Sequence, residues 1–274
     1  MRTLLLAGFT IGTLAACNDG DASNSQAVDS TSQSTVAPEK SIKIAPVENS
    51  PEFPDAQLAI NNVTTEMLGT DSVKVTISYD VKNYELKKQT DGAVAGACNN
   101  SKDGQHIHFI LDNKPYTALY KPTHTFNLPL NSEHYVMSFL SRSYHESLKN
   151  KEAGVLLRFK VDEKGKYKEL EKPNTPMIFY SRPKGDYVGK DTENVLLDFY
   201  VYNTTLAASG NKVKATINGN SFVIDKWVPQ FIHNAPMGSM KVKLELIDKD
   251  GNAIGGDNTT IDRDVTLAQS EPVR

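Results

Sequence analysis

The sequence predicts an all-β chain built as two tandem immunoglobulin-like β-sandwiches, and three observations carry that prediction. First, residues 73–81, VKVTISYDV, alternate strictly, with Val73, Val75, Ile77, Tyr79 and Val81 on one face and Lys74, Thr76, Ser78 and Asp80 on the other. A period of two marks a strand with one buried face. Second, similar runs recur at 106–111, 134–140, 155–161, 195–202, 212–217 and 240–247, divided by Gly, Pro, Asn and Asp turns. Short strands at that spacing build sandwiches of about 100 residues each. Third, the chain repeats itself. VKNYEL (81–86) matches VYNTTL (201–206) at an offset of 120. GQHIHFILDNKPY (104–116) matches GNKVKATINGNSF (210–222), and SEHYVMSFL (132–140) matches SMKVKLELI (238–246), both at an offset of 106. The offsets differ by 14, the length of an insertion in the first copy within KKQTDGAVAGACNNSKD (87–103), which contains Cys98.

The elements follow in order. Arg2 and the short apolar run 4–14 lead into Leu14-Ala15-Ala16-Cys17, which reads as a bacterial lipobox. Residues 1–16 are then a lipoprotein signal peptide cut before Cys17, the lipid attachment site. No later stretch approaches about 18 consecutive apolar residues, so the acyl chains are the expected membrane contact. Residues 17–53 are expected to be the lipidated cysteine and a disordered tether, because Ser, Thr, Asn, Gln and Asp dominate and little apolar surface is available to offset ordering. The first sandwich is expected over 54–170 and the second over 171–274. The expected location is the outer membrane, lipid-anchored, on its periplasmic or cell-surface face. A net charge of −3 gives no long-range attraction to nucleic acid. Of the two cysteines, Cys17 takes lipid, which leaves Cys98 a lone thiol in a compartment that permits disulfides.

The repeat sets the strand register. Val213, Ala215 and Ile217 must face a core, so their counterparts Ile107, Phe109 and Leu111 face inward and His106, His108 and Ile110 outward. By the same offset His134, Val136, Ser138 and Leu140 face inward, and Tyr135, Met137 and Phe139 outward. The two strands correspond to neighbouring strands C and F of an immunoglobulin-type sheet. The first copy thus carries a patch of His106, His108, Tyr135, Met137 and Phe139 where the second carries charge. Such a patch can pack against the second sandwich or the insertion. It can also receive a protein or peptide partner, since aromatic and Met side chains favour recognition. A third use is a soft-metal site. His-x-His on a strand sets two residues about 7 Å apart at Cα, and with Cys98 and Met137 the donor set suits copper. The expected function is a non-catalytic binding or scaffolding module of the envelope, with a periplasmic copper-binding protein as the alternative and no other cofactor.

The remaining polar residues say less. His124 and His233 are read as solvated loop residues. LSRSYHESLK (140–149), with Arg142, Tyr144, His145 and Lys149, reads as a solvated polar loop. Arg142, Arg182 and Lys184 are candidate anion contacts by charge and fork geometry. SRPKG (181–185) also reads as an ordinary turn built on Pro183 and Gly185. G-x-S-x-G, P-loop, H-E-x-x-H and G-x-G-x-x-G patterns are absent, and the carboxylates are scattered, so catalysis is not expected.

Two resemblances complete the reading. GQHIH resembles part of the G-x-H-x-H signature of copper–zinc superoxide dismutases, whose fold is a sandwich, but the later His/Asp pattern, the disulfide and the charged loop are missing. TPMIFYSRPKGDYVGKDTENVLLDFYVYNTTL (175–206), VKATINGNSF, APMGSMKVKLELIDKDGN and GQHIHFILDNKPY together resemble a family of exported Bacteroidota lipoproteins labelled phosphopeptide-binding. That resemblance spans nearly all of residues 53–268 and implies export and a binding role. It transfers no catalytic or ligand residue.

Overall fold

Alternation and turn residues place the strands, and the computed structural model describes residues 41–270. The signal peptide, Cys17 and the first part of the expected tether lie outside the described residues. The strands in chain order are β1 (Lys43–Pro46), β2 (Gln57–Leu68), β3 (Ser72–Lys82), β4 (His106–Leu111), β5 (Thr117–Leu119), β6 (Thr123–Pro129), β7 (Ser132–Ser141), β8 (Gly154–Val161) and β9 (Tyr167–Glu169). There follow β10 (Met177–Arg182), β11 (Asp186–Val188), β12 (Val195–Tyr202), β13 (Lys212–Ile217), β14 (Asn220–Ile224), β15 (Gln230–His233), β16 (Gly238–Ile247) and β17 (Thr260–Ala268).

These strands make two immunoglobulin-like sandwiches. In the first, the sheet β2-β3-β6 covers β5-β4-β7-β8-β9; in the second, β1-β15-β12-β10 covers β11-β17-β16-β13-β14. Val73, Val75, Ile77, Ile107, Phe109, Val136 and Leu140 fill the first core. Val213, Ala215, Ile217, Met240, Val242, Leu244 and Leu246 fill the second. The repeat holds residue for residue. His106 pairs with Ser141 on β4 and β7, and Lys212 pairs with Ile247, 106 positions on from each, on β13 and β16. The insertion 87–103 carries one helical turn, α1 (Val94–Ala97).

The outward patch points where the register predicts, but it is not a free surface. Ile110, Met137, Phe139 and Leu156 from the outer face of the first sandwich pack on Met177, Phe179 and Tyr200 of β10 and β12. Phe139 stacks on Tyr200 with ring centroids 5.0 Å apart. Four sheets are thereby layered, and β4, β10 and β12 of the two inner ones are buried at nearly every position. This is why β10 and β12 read as continuous apolar runs rather than as alternation. His106, His108 and Phe139 are each 0 % exposed and Met137 1 %, while Tyr135 is half-buried. The partner surface expected from these five residues is therefore closed by the second sandwich.

Three further expectations are corrected. Residues 43–46, assigned to the tether, form β1 on the open edge of β15, because Ile42 and Ile44 supply enough apolar surface to pack on the second core. His124 and His233 lie in β6 and β15 rather than in loops, and His124 stands edge-on to Phe109. The polar segment 141–148 is buried at every position. It is wedged at the junction of the sandwiches, where its polar groups pair with one another and with the second sandwich. Lys149 Nζ lies 2.6 Å from Asp198 Oδ1 on β12, and the Ser147 amide donates to Asp198 Oδ2 at 3.1 Å.

Candidate metal centre

β4 begins two residues after Gly104, whose φ of +81° suits glycine. A Cβ at that position would collide with the Lys87 carbonyl oxygen. The Gly104 carbonyl accepts a hydrogen bond from His106 Nδ1 at 2.8 Å. That bond fixes the neutral tautomer, with the proton on Nδ1 and a bare lone pair on Nε2. His106 Nε2 lies 2.9 Å from His108 Nε2 and 3.1 Å from His145 Nδ1. His108 stacks on Tyr116 at 3.6 Å and 9°. Its Nδ1 stands 3.0 Å from Ser181 Oγ, which β10 brings from the second sandwich. Tyr116 Oη stands 3.2 Å from His145 Nδ1. The three imidazoles thus each present one ligand atom, all within 4.8 Å of one another.

His145 reaches this point through an unusual backbone. Its φ is +70°, and eight of the eleven non-glycine residues with positive φ among the described residues are asparagine. The repeat shows what the position ordinarily holds, since 106 residues later stands Gly251 with φ +89°. The two turns share their hydrogen bonds. Arg142 N donates to Glu146 O at 2.8 Å as Asp248 N does to Asn252 O at 2.9 Å, and His145 N donates to Arg142 O as Gly251 N does to Asp248 O. A β-turn that takes glycine in one copy therefore holds a histidine, against its conformational preference, in the other. Such strain collects at functional positions.

Burial keeps all three rings neutral. Loss of water lowers the His106 pKa to about 4, against which the Gly104 carbonyl works, with the charges of Arg182 and Lys184 adding to the depression. The same desolvation holds His108 and His145 well below the usual histidine range, helped by the neighbouring imidazoles and the same two cations. Lys184 Nζ lies 4.3 Å from the Tyr116 ring centroid and donates to the Tyr116 carbonyl. Arg182 Cζ lies 5.5 Å from the same ring. Arg182 Nη1 donates to Tyr187 Oη at 3.1 Å, while its buried Nε has no partner.

Protons leave one contact of this cluster unmatched, even with the Tyr116 hydroxyl donating to His145 Nδ1 at 3.2 Å. His106 Nε2 has one in-plane lone pair, and two imidazole nitrogens approach it within 3.1 Å. A hydrogen bond satisfies one of those approaches and leaves the other unmatched. A cation placed among the three nitrogens can accept all three lone pairs at once. Metal–nitrogen bonds of about 2.0–2.1 Å set tetrahedral ligand nitrogens about 3.3 Å apart, so His106 Nε2 needs to open from each neighbour by only a few tenths of an ångström, while the group's spread of up to 4.8 Å has to close. The outer hydrogen bonds from His106 to a carbonyl and between His108 and a hydroxyl are the kind that orient metal-binding imidazoles.

Of the metal donors expected from sequence, His106 and His108 are in the cluster, and Cys98 and Met137 are not. Cys98 Sγ donates to the Val94 carbonyl in a small apolar cluster with Tyr144, and burial pushes its thiol up to about 12. Met137 belongs to the apolar junction. The anion candidates separate as well. Arg142 is 6 % exposed and is occupied by Glu146 at 2.8 Å and by the Pro51 carbonyl at 2.9 Å, whereas Arg182 and Lys184 flank the histidines. His145, Tyr116 and Ser181 were missed. The one available signal for His145 was its alignment, at the 106 offset, with the glycine of a Lys-Asp-Gly-Asn turn.

No family model matches the chain, and no curated protein does. Among solved structures, the chain is similar to fibronectin(III)-like modules of Clostridium thermocellum CbhA at 14 % identity and a TM-score of 0.28, over 35 % of this chain and 100 % of that one. It is also similar to the BSP domain of a biofilm associated protein at 9 % identity and a TM-score of 0.22, over 80 % of this chain and 53 % of that one. The chain's own sheets, rather than these likenesses, define its architecture as a tandem pair of immunoglobulin-like sandwiches.

Proposed function

We propose that this protein is a non-catalytic transition-metal-binding module, exported and lipid-anchored through Cys17, whose ion is held by His106, His108 and His145 at the junction of its two sandwiches. One observation supports this above the rest: three buried imidazoles each offer one ligand nitrogen, all within 4.8 Å of one another. Imidazole suits zinc, copper, iron and nickel. The protein brings the donors together without spending a charged side chain on them, and Ser181 lets the second sandwich orient a ligand carried by the first.

The test is metal analysis of the purified full chain after exposure to Zn(II), Ni(II), Co(II) and copper and removal of loosely held ions. One equivalent retained by the wild type and lost from His145→Asn is the expected result. Asparagine tolerates the left-handed backbone, so the variant keeps its melting transition and isolates the ligand. A wild-type chain that retains no metal overturns the reading.

A further inference from the structure

Resting on the reading of the triad as a metal site, we infer that the ion it selects is monovalent copper, held three-coordinate by His106 Nε2, His108 Nε2 and His145 Nδ1. The donor set is entirely neutral, and the group contains no carboxylate or thiolate among the described residues. Any ion therefore brings its full charge into the site. That site is dry, with His106 and His108 at 0 % exposure and His145 at 8 %. Two cations already flank it, Arg182 at 6 % exposure and Lys184, which stands over the Tyr116 ring that stacks on His108.

Each of these facts penalises a divalent ion more than a monovalent one, because both the desolvation cost and the repulsion rise with the charge carried. Coordination number points the same way. Zinc takes four ligands, and where a protein supplies three it adds a water. Here the Tyr116 hydroxyl stands 3.2 Å from His145 Nδ1, and a neutral phenol is a poor fourth ligand. A closed-shell Cu(I) ion is content with three nitrogens and one positive charge. His108 and His106 are held at their outer nitrogens by Ser181 and Gly104, which fixes the orientation of those two rings.

The experiment titrates the purified full chain, with Cys17 and Cys98 both changed to Ser, anaerobically with Cu(I) against a bicinchoninate competitor. A parallel titration uses Zn(II) against a chromophoric chelator, and X-ray absorption is collected on the copper-loaded sample. One Cu(I) per chain, with three nitrogen neighbours and no sulfur, and an affinity on the order of 100-fold or more above that for Zn(II), is the expected result; a factor of that size is what one extra repelled unit charge amounts to at an effective dielectric of about 20. His145→Asn abolishes it while the fold is retained. Zn(II) binding as tight as Cu(I), again lost in His145→Asn, overturns the copper inference and leaves the metal site standing. A sulfur neighbour, or a fourth ligand, also overturns it. Failure of both ions to bind overturns the inference together with the reading it rests on.

Discussion

At the scale of single residues, the three histidines tie stability to pH in a definite direction. Burial lowers His106 to about 4 in the folded, metal-free chain, whereas an unfolded histidine titrates near 6.5. Between those values the unfolded chain binds a proton that the folded chain refuses. Stability is therefore fully present above about pH 6.5 and is lost as pH falls through that window toward 4, with His106 alone accounting for about 3 kcal/mol. His108 and His145 are depressed in the same sense and steepen the loss. Denaturant midpoints of metal-free protein between pH 7 and 4.5 are expected to fall more steeply for the wild type than for His145→Asn, which carries one imidazole fewer. Equal slopes for the two proteins would show that His145 is not held neutral. His145 also shows where reading a sequence stops. A left-handed histidine and an exposed one look alike in a string of letters, and only the glycine at the equivalent place in the second copy marks the difference.

At the scale of elements, the strands were legible and the turns were not. The offset of 106 carried β4 onto β13 and β7 onto β16 without a slip, because the side chains that fill a sandwich core impose the same alternation on both copies. That register sets His106 and His108 away from the first core. Segment 141–148 was misjudged because its composition is that of a solvated loop, and its burial depends on a second sandwich whose docking no local pattern encodes. The turn before β4 offers a sharp test of how an element positions a ligand. In Gly104→Ala the added Cβ meets the Lys87 carbonyl and must adopt a left-handed φ. Strain and overpacking together are expected to cost about 2–4 kcal/mol. Because the Gly104 carbonyl orients His106, metal affinity falls as well, measurable as a weaker competitor titration on the folded fraction. An unchanged affinity would mean that this carbonyl does not set the ring.

At the scale of the whole molecule, the junction decides whether the two sandwiches are separate beads or one body. The described residues belong to one compact unit, and each half leans on the other. β1 precedes the first sandwich in sequence yet completes a sheet of the second, and the apolar junction draws on both. The polar part of that junction is the more demanding, since Asp198 is 0 % exposed and its charge is met by Lys149 and the Ser147 amide. Removing one partner of such a pair leaves a buried charge uncompensated and costs about 3–5 kcal/mol. Lys149→Ala is accordingly expected to lower the stability of the entire chain by that amount, although Lys149 touches no metal ligand and belongs to neither main core. Calorimetry should show one transition for the wild type, with equal calorimetric and van't Hoff enthalpies, and one transition at a lower temperature for the variant. Cu(I) should raise both midpoints together. Two resolved transitions in the wild type would make the sandwiches independent, and the triad would then need no help from the second to hold its ion.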